Sequence, residues 1–400
     1  MRRTASASRH HSARASGVLA VLLLSAVPFA APPGARAADR VELPVLRSEL
    51  GPGVPCTDAS VRTAKARPWT VGALGLTRAW SLSRGAGVKV AVVDTGVGRG
   101  VPALEGRVSG AGDATTDCVG HGSFAAALIA GAPLDGVGPV GVAPGAEILA
   151  VRGTQERGAT TPERLADAVR EAADAGAGVI YVGIALESGR TELSRAVAYA
   201  ARKDALVVAP AAPDVLPEDG SGDPVPAAPW YWPAAAPGAL AVQDYGPGGS
   251  RPEGAPVATG VDLAAPGDAV AGAGPDGSGH FIGSGSSLAA AHVAGAAALV
   301  RARHPGLTAR QVARQLTSSA YPADVPRLDP YAALTTLPQS RRGSAPAQQA
   351  ARRAEPPSTA ARDRALLVAG AGAGVVLLTA AAAAAVPRGR ARRWRPAGGE

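Results

Sequence analysis

The sequence predicts an α/β fold, a parallel sheet with helices on both faces, with one transmembrane helix added near the C-terminus. Three observations carry that expectation. Strand-like and helix-like segments alternate from residue 88 to residue 304, the pattern of βαβ units. Of the 400 residues, 46% are hydrophobic and 18% charged, enough apolar material for a sizeable core. Residues 365–386 carry no charge, and at 1.5 Å per residue they reach about 30 Å, the thickness of a bilayer core. The two cysteines are too few for a disulfide-dense miniprotein or a four-cysteine zinc module.

Residues 88–93 form a continuous apolar run closed by Asp94-Thr95-Gly96, as expected of a strand buried on both faces. Residues 121–130 are small and apolar, suited to a buried helix, and a short strand follows over 147–151. Thr161-Pro162-Glu163 signals a helix start: a capping hydroxyl, then Pro, then an acid. Leu165, Ala168, Val169 and Ala172 then fall on one face. A strand over 179–184, a helix over 192–202 and a strand over 206–209 complete the alternation. A long helix over 289–304 stops at Pro305-Gly306. In such sheets functional groups gather at the carboxyl ends of strands, where Asp94 lies.

The formal charge of +8 is unevenly spread. Residues 1–37 carry +5, 338–364 carry +4 and 387–400 carry +4, which leaves 38–337 at −5. A mildly acidic globular part argues against nucleic acid as a partner. Basic ends fit a membrane. Residues 1–37 read as a signal peptide: Arg2 and Arg3, an apolar stretch over 17–31, then Ala35-Arg36-Ala37 as a small-x-small cleavage site. Residues 338–364, rich in Pro, Ala, Ser, Gln and Arg without apolar periodicity, read as a flexible stalk. After the span over 365–386, five arginines in 387–400 favour a cytoplasmic C-terminus, which places the preceding domain outside. Export permits a disulfide between Cys56 and Cys118, with two free buried thiols as the alternative.

Three short segments carry the chemistry. KVAVVDTGV places Asp94 at a strand end, GHGSFAAALIAG sets His121 at the head of an apolar helix, and GSGSSLAAAHVAGAAALV has Ser287 opening another. Each alone has an ordinary reading as a turn, a surface histidine or a helix cap. Together they supply what a serine nucleophile needs: a base for its proton and a carboxylate that fixes the base's tautomer. A helix N-terminus at Ser287 also aims backbone N–H groups at a developing oxyanion. The chain order is Asp, His, Ser, that of the subtilisin type.

These motifs resemble those of the subtilisin-like serine proteases, or subtilases. The whole layout is similar to the mycosins, membrane-anchored subtilases of actinobacterial type VII secretion systems. The resemblance spans residues 68–337 and includes PWTVGALGLTRAWSLSRGAGVKVAVVDTGV, YWPAAAPGALAV, VDLAAPGDAV and RLDPYAAL. It implies a subtilisin-like fold over 86–337 after an N-terminal extension, 38–85. It also implies a Cys56–Cys118 disulfide tying that extension beside His121. By resemblance Ser287 is the nucleophile, His121 the base and then acid, and Asp94 the orienting carboxylate, with no cofactor and no catalytic metal. The implied partners are the secretion membrane components, exported protein substrates and the cytoplasmic membrane.

The sequence departs from the family pattern at the oxyanion hole. Subtilases present an Asn there, but VVAPAAPD places Pro213 at that position with Asp214 next, and the chain contains no asparagine. That leaves the Ser287 backbone N–H as oxyanion donor. The strand VIYVGIALESG also lacks the usual Ser-Leu-Gly-Gly end, while Ser123 and Ser286 replace Thr and Ala291 replaces Pro. The expected function is a serine endopeptidase of reduced activity. The alternative is a weakened or inactive subtilase serving as a structural component of the secretion complex.

Overall fold

The computed structural model describes residues 41–217, 220–221, 224–256, 258–337 and 360–391. The expected signal peptide, most of the stalk and the last nine residues of the basic tail lie outside them. The chain divides into two compact units, Met1–Leu337 and Pro338–Glu400.

In the first unit seven strands form one sheet: β1 (Lys89–Asp94), β2 (Val108–Ser109), β3 (Glu147–Arg152), β4 (Val179–Val182), β5 (Leu206–Pro210), β6 (Leu240–Tyr245) and β7 (Leu263–Pro266). Their order is β2-β3-β1-β4-β5-β6-β7, and every pairing is parallel. A separate antiparallel pair joins β8 (Val270–Ala273) and β9 (His280–Gly283). Helices α1 (Trp69–Ala73) and α2 (Leu76–Ala79) precede the sheet. Then come α3 (His121–Ala130), α4 (Pro162–Asp174), α5 (Arg190–Arg202), α6 (Ser286–Arg303), α7 (Ala309–Ser318) and α8 (Pro330–Thr335).

The central strands are apolar throughout because helices cover both sides of them. Side chains alternate across a strand, so Val90 and Val92 join Phe124 and Ile129 of α3 and Ala290 and Ala294 of α6 in one core. Ala91 and Val93 face the other way, against Leu165 and Val169 of α4 and Leu193 and Val197 of α5. The predicted parallel sheet with helices on both faces is therefore what forms. α4 begins as its sequence indicates, with the Thr161 hydroxyl accepting the Arg164 N–H at 3.3 Å and Pro162 in the first turn. The strand expected over 179–184 stops at Val182, and the helix expected from residue 289 already begins at Ser286.

α6 is buried on all sides from Ser286 to Val300, so it has no polar stripe to mark its face. Its Gly295 is a point of closest approach: a Cβ there would stand 2.7 Å from that of Val142. His292 lies in the same helix, its Nδ1–H donating to the Leu288 carbonyl at 2.9 Å. Burial pushes this imidazole down to about 4, so it is neutral at pH 7. A histidine whose folded value lies below its unfolded one contributes stability that is complete above pH 6.5 and lost as the pH falls towards 4. We expect that loss to approach about 3 kcal/mol. Urea midpoints at pH 7 and 4.5 check it: His292→Gln should lack this component, and an equal acid loss in both proteins would contradict it.

In the second unit, α9 (Ala360–Ala391) is a 32-residue helix that extends past the expected 365–386 at both ends and continues through Pro387. Its stretch Arg364–Ala391 is long and apolar enough to cross a membrane, and Leu366, Leu367, Leu377 and Leu378 are exposed.

Candidate active site

Chain order reverses around β1: the next full strand, β3, lies on one side of it and β4 on the other. Ligand crevices in open α/β sheets form outside the carboxyl ends at such a reversal. Asp94, the last residue of β1, stands there fully buried, its Oδ1 accepting the Thr95 N–H at 2.6 Å.

The start of α3 is held against this point by glycines and by a carboxylate. Gly120 has φ +94°, and a Cβ on Gly122 would stand 2.0 Å from the Gly96 carbonyl oxygen. Only glycine lets the helix come this close to β1. Asp117, buried, accepts the Gly120 N–H at 2.8 Å, the Ser123 N–H at 2.8 Å and the Ser123 and Thr95 hydroxyls at 2.7 and 2.8 Å. Thr95 in turn accepts the Gly122 N–H at 3.0 Å. Ser123 thus fills with one hydroxyl the place its family pattern gives to Thr. Asp117 is the residue that sequence reasoning missed. In TTDCVGHGS it reads as an ordinary loop acid, and only the spacing of three and six residues to Gly120 and Ser123 hints at a cap.

These constraints aim the His121 ring. Its Nδ1 lies 2.8 Å from Asp94 Oδ2 and 3.0 Å from Oδ1, and its Nε2 lies 3.0 Å from the Ser287 hydroxyl. An ionised carboxylate only accepts, so Nδ1 carries the proton and Nε2 is left facing the serine. Burial pulls His121 down, but the charge of Asp94 and the bonds to Asp214 and Asp94 outweigh it and hold the imidazole well above its ordinary range. The structure thus brings Asp94, His121 and Ser287 together. Ser287 itself is fully buried in the first turn of α6.

At the oxyanion region, where Pro213 is expected at the Asn position with Asp214 next, the side chain that meets Ser287 is that of Asp214. Pairing with β6 runs on to Ala211, whose N–H reaches the Val242 carbonyl at 2.7 Å. The third residue beyond it comes opposite the head of α6. Asp214 Oδ1 accepts the Ser287 N–H at 2.9 Å, Oδ2 accepts the Ser287 hydroxyl at 2.5 Å, and His121 Nε2 lies 3.4 Å from Oδ2. Beside them the Tyr181 hydroxyl of β4 is fully buried, pushed up by burial and then by the charges of Asp94 and Asp214. A Cβ on Gly183 would fall 1.8 Å from Asp94 Oδ2, so glycine at this position leaves room for the carboxylate.

The segment before the sheet stays close to the site. The Leu46 N–H donates to Ile282 at 2.8 Å, and the Ile282 N–H to Pro44 at 2.9 Å. Cys56 and Cys118 are joined in a disulfide, closing the alternative of two free thiols. Val45–Glu49, with His121, Asp214, Leu216 and Ser284, line a cleft of about 530 Å³.

The family model that matches, over residues 85–363, is that of the subtilase family. The chain belongs to the subtilase family. Within it this subtilase is similar to Mycosin-3 of Mycobacterium tuberculosis (strain ATCC 25618 / H37Rv), 34% identical over 380 residues, 78% of this chain and 79% of that one. The crystal structure of MycP1 with its N-terminal propeptide removed matches with a TM-score of 0.59 and 32% identity, over 69% of this chain and 99% of that one. A chain from the periplasmic assembly of the ESX-5 inner membrane complex matches with a TM-score of 0.60 and 29% identity, over 80% of this chain and 97% of that one. The resemblance of the sequence to a mycosin-type subtilase is borne out, and with it a subtilisin-like fold and membership of a serine peptidase family.

Proposed function

We propose that this subtilase is a membrane-anchored serine endopeptidase of a type VII secretion apparatus, its catalytic unit outside the cytoplasmic membrane. The observation that carries the chemistry is the chain Asp94–His121–Ser287, with contacts of 2.8 and 3.0 Å. In the reaction His121 Nε2 takes the Ser287 proton as Oγ attacks the scissile carbonyl carbon. Asp94 stabilises the imidazolium, and the Ser287 N–H binds the oxyanion. His121 then returns the proton to the leaving amine. Water, activated by the same base, hydrolyses the acyl-enzyme. Where Asn would have donated a second hydrogen bond there is a carboxylate, so turnover should lie below that of an Asn-bearing subtilase by roughly 10²–10³-fold. That figure was measured on subtilisin itself.

The exposed apolar length of α9 and the arginines that follow it support a single span with the C-terminus in the cytoplasm. The disulfide suits an oxidising compartment outside. The similarity to a chain of the periplasmic assembly of the ESX-5 inner membrane complex supports secretion membrane proteins and exported proteins as partners.

Topology in intact cells tests the placement. An epitope inserted in the stalk should react with external antibody, and one after Glu400 only once the cells are permeabilised. Deleting residues 360–391 should release the chain from carbonate-washed membranes. The reverse labelling pattern, or full release of the intact chain by carbonate, would overturn the anchored reading.

A further inference from the structure

The proposal concerns Asp214, and it rests on the peptidase reading given above. Two features show that its carboxyl is built into the site. It holds both the N–H and the hydroxyl of Ser287, at 2.9 and 2.5 Å. It also nests against Gly285, where φ is +151° and a Cβ would fall 2.1 Å from the Asp214 Cγ and Oδ1. No other residue type at 285 would leave room for the carboxyl in this place.

We infer that Asp214 is a catalytic residue that shares one proton with His121: ionised it closes the oxyanion hole, and protonated it supplies the missing donor. In the closed state Oδ1 occupies the position on the Ser287 N–H that a substrate oxyanion must take. The Ser287 hydroxyl then points at Asp214 instead of its base. His121, flanked by Asp94 and Asp214, is held in its protonated form by their charges. Closed and competent states contain the same number of protons. Moving the Nε2 proton of His121 to Asp214 Oδ2, with the Ser287 oxygen lying beside both, leaves His121 neutral and able to act as base. It also converts a repelling carboxylate into a hydroxyl donor. A substrate carbonyl seated on the Ser287 N–H favours that transfer, because the developing oxyanion disfavours a neighbouring anion. A neutral aspartic acid is an effective oxyanion donor in another enzyme, ketosteroid isomerase.

The other groups around Asp214 do not replace this partnership. Arg47 and Glu49 line the first cleft with Asp214, and Asp244, Glu253 and Asp268 line a second cleft of about 320 Å³ that Asp214 also borders. Asp244 is occupied by Arg251 at 3.3 Å and by the Ser286 hydroxyl at 2.9 Å. Tyr181 adds a buried neutral hydroxyl from β4.

With one proton shared between Asp214 and His121, the competent state needs that proton in place. Activity of the unaltered chain therefore falls as the pH rises and the pair loses that proton, and falls again in acid when both members hold one. In Asp214→Asn only His121 titrates, so activity rises with pH to a plateau.

The experiment is the pH dependence of kcat/KM for peptide hydrolysis by the full chain in membranes, from pH 6 to 10. Asp214→Asn and Asp214→Ala are measured alongside, with near-UV circular dichroism as the check on folding. We expect the falling alkaline limb in the unaltered chain alone. Asp214→Asn should exceed it by about 10²–10³-fold at pH 9, and Asp214→Ala should rise with pH but plateau below Asp214→Asn by a similar factor. An alkaline limb shared by Asp214→Asn, or activity of that variant below the unaltered chain at pH 9, overturns the inference while leaving the peptidase reading standing. Folded proteins that show no hydrolysis in all three forms at every pH overturn both.

Discussion

Ser287→Ala should lower kcat for peptide hydrolysis by about a millionfold, the scale found when the nucleophile is removed from subtilisin. The expectation follows from geometry. The only hydroxyl within 3.0 Å of His121 Nε2 is that of Ser287 among the described residues. The deletion removes the atom that forms the acyl bond, and the oxyanion N–H that remains cannot substitute for it. Stability should change little: the buried Ser287 hydroxyl is lost, but Asp214 Oδ2 keeps His121 Nε2 at 3.4 Å as its partner. Initial rates on an unfolded protein substrate, beside a thermal melt of each protein, check the prediction. Cleavage by folded Ser287→Ala at more than a hundredth of the unaltered rate would contradict it.

Asp94→Asn should cost about 10⁴-fold in kcat with the backbone unchanged, as in the equivalent change to a Ser-His-Asp triad elsewhere. Two effects combine. An amide in this buried position can turn its NH₂ towards His121 Nδ1 and fix the wrong tautomer, so that Nε2 carries a proton and cannot accept one. The variant also loses the negative charge that, after the opposing effect of burial, does most to hold His121 up. The His121 transition should therefore move to lower pH, visible in its ring proton resonances. A variant with normal turnover and an unmoved His121 resonance would show that Asp94 neither orients nor charges the site.

Much of the site was legible because its chemistry is carried by short contiguous segments. The apolar run ending at Asp94 could only be a strand covered on both sides, and a strand end is where a parallel sheet presents its side chains. The glycines around His121 marked a close approach, which proved to be that of α3 to the Gly96 carbonyl. What stayed hidden depends on contacts between distant parts of the chain. Asp117 acts through Thr95, 22 residues earlier, and no periodicity reveals such a pairing. The identity of the residue opposite Ser287 turned on a single step along VVAPAAPD. Sequence alone fixed neither where pairing with β6 ends nor which side chain then faces α6. The β8–β9 pair escaped notice because Gly-rich strands of four residues give no alternation to count. The long helix α6 begins at Ser286, one residue before the start that the serine motif indicates and three before its apolar run.

The most direct test of the account is the site of covalent labelling. The full chain in membranes is treated with a fluorophosphonate between pH 6 and 10, digested, and mapped by mass spectrometry. We predict a single adduct on Ser287, absent from His121→Ala. An adduct on Ser284 or Ser286, or none on the folded chain at any of these pH values, would contradict the assignment of Ser287 as a nucleophile activated by His121.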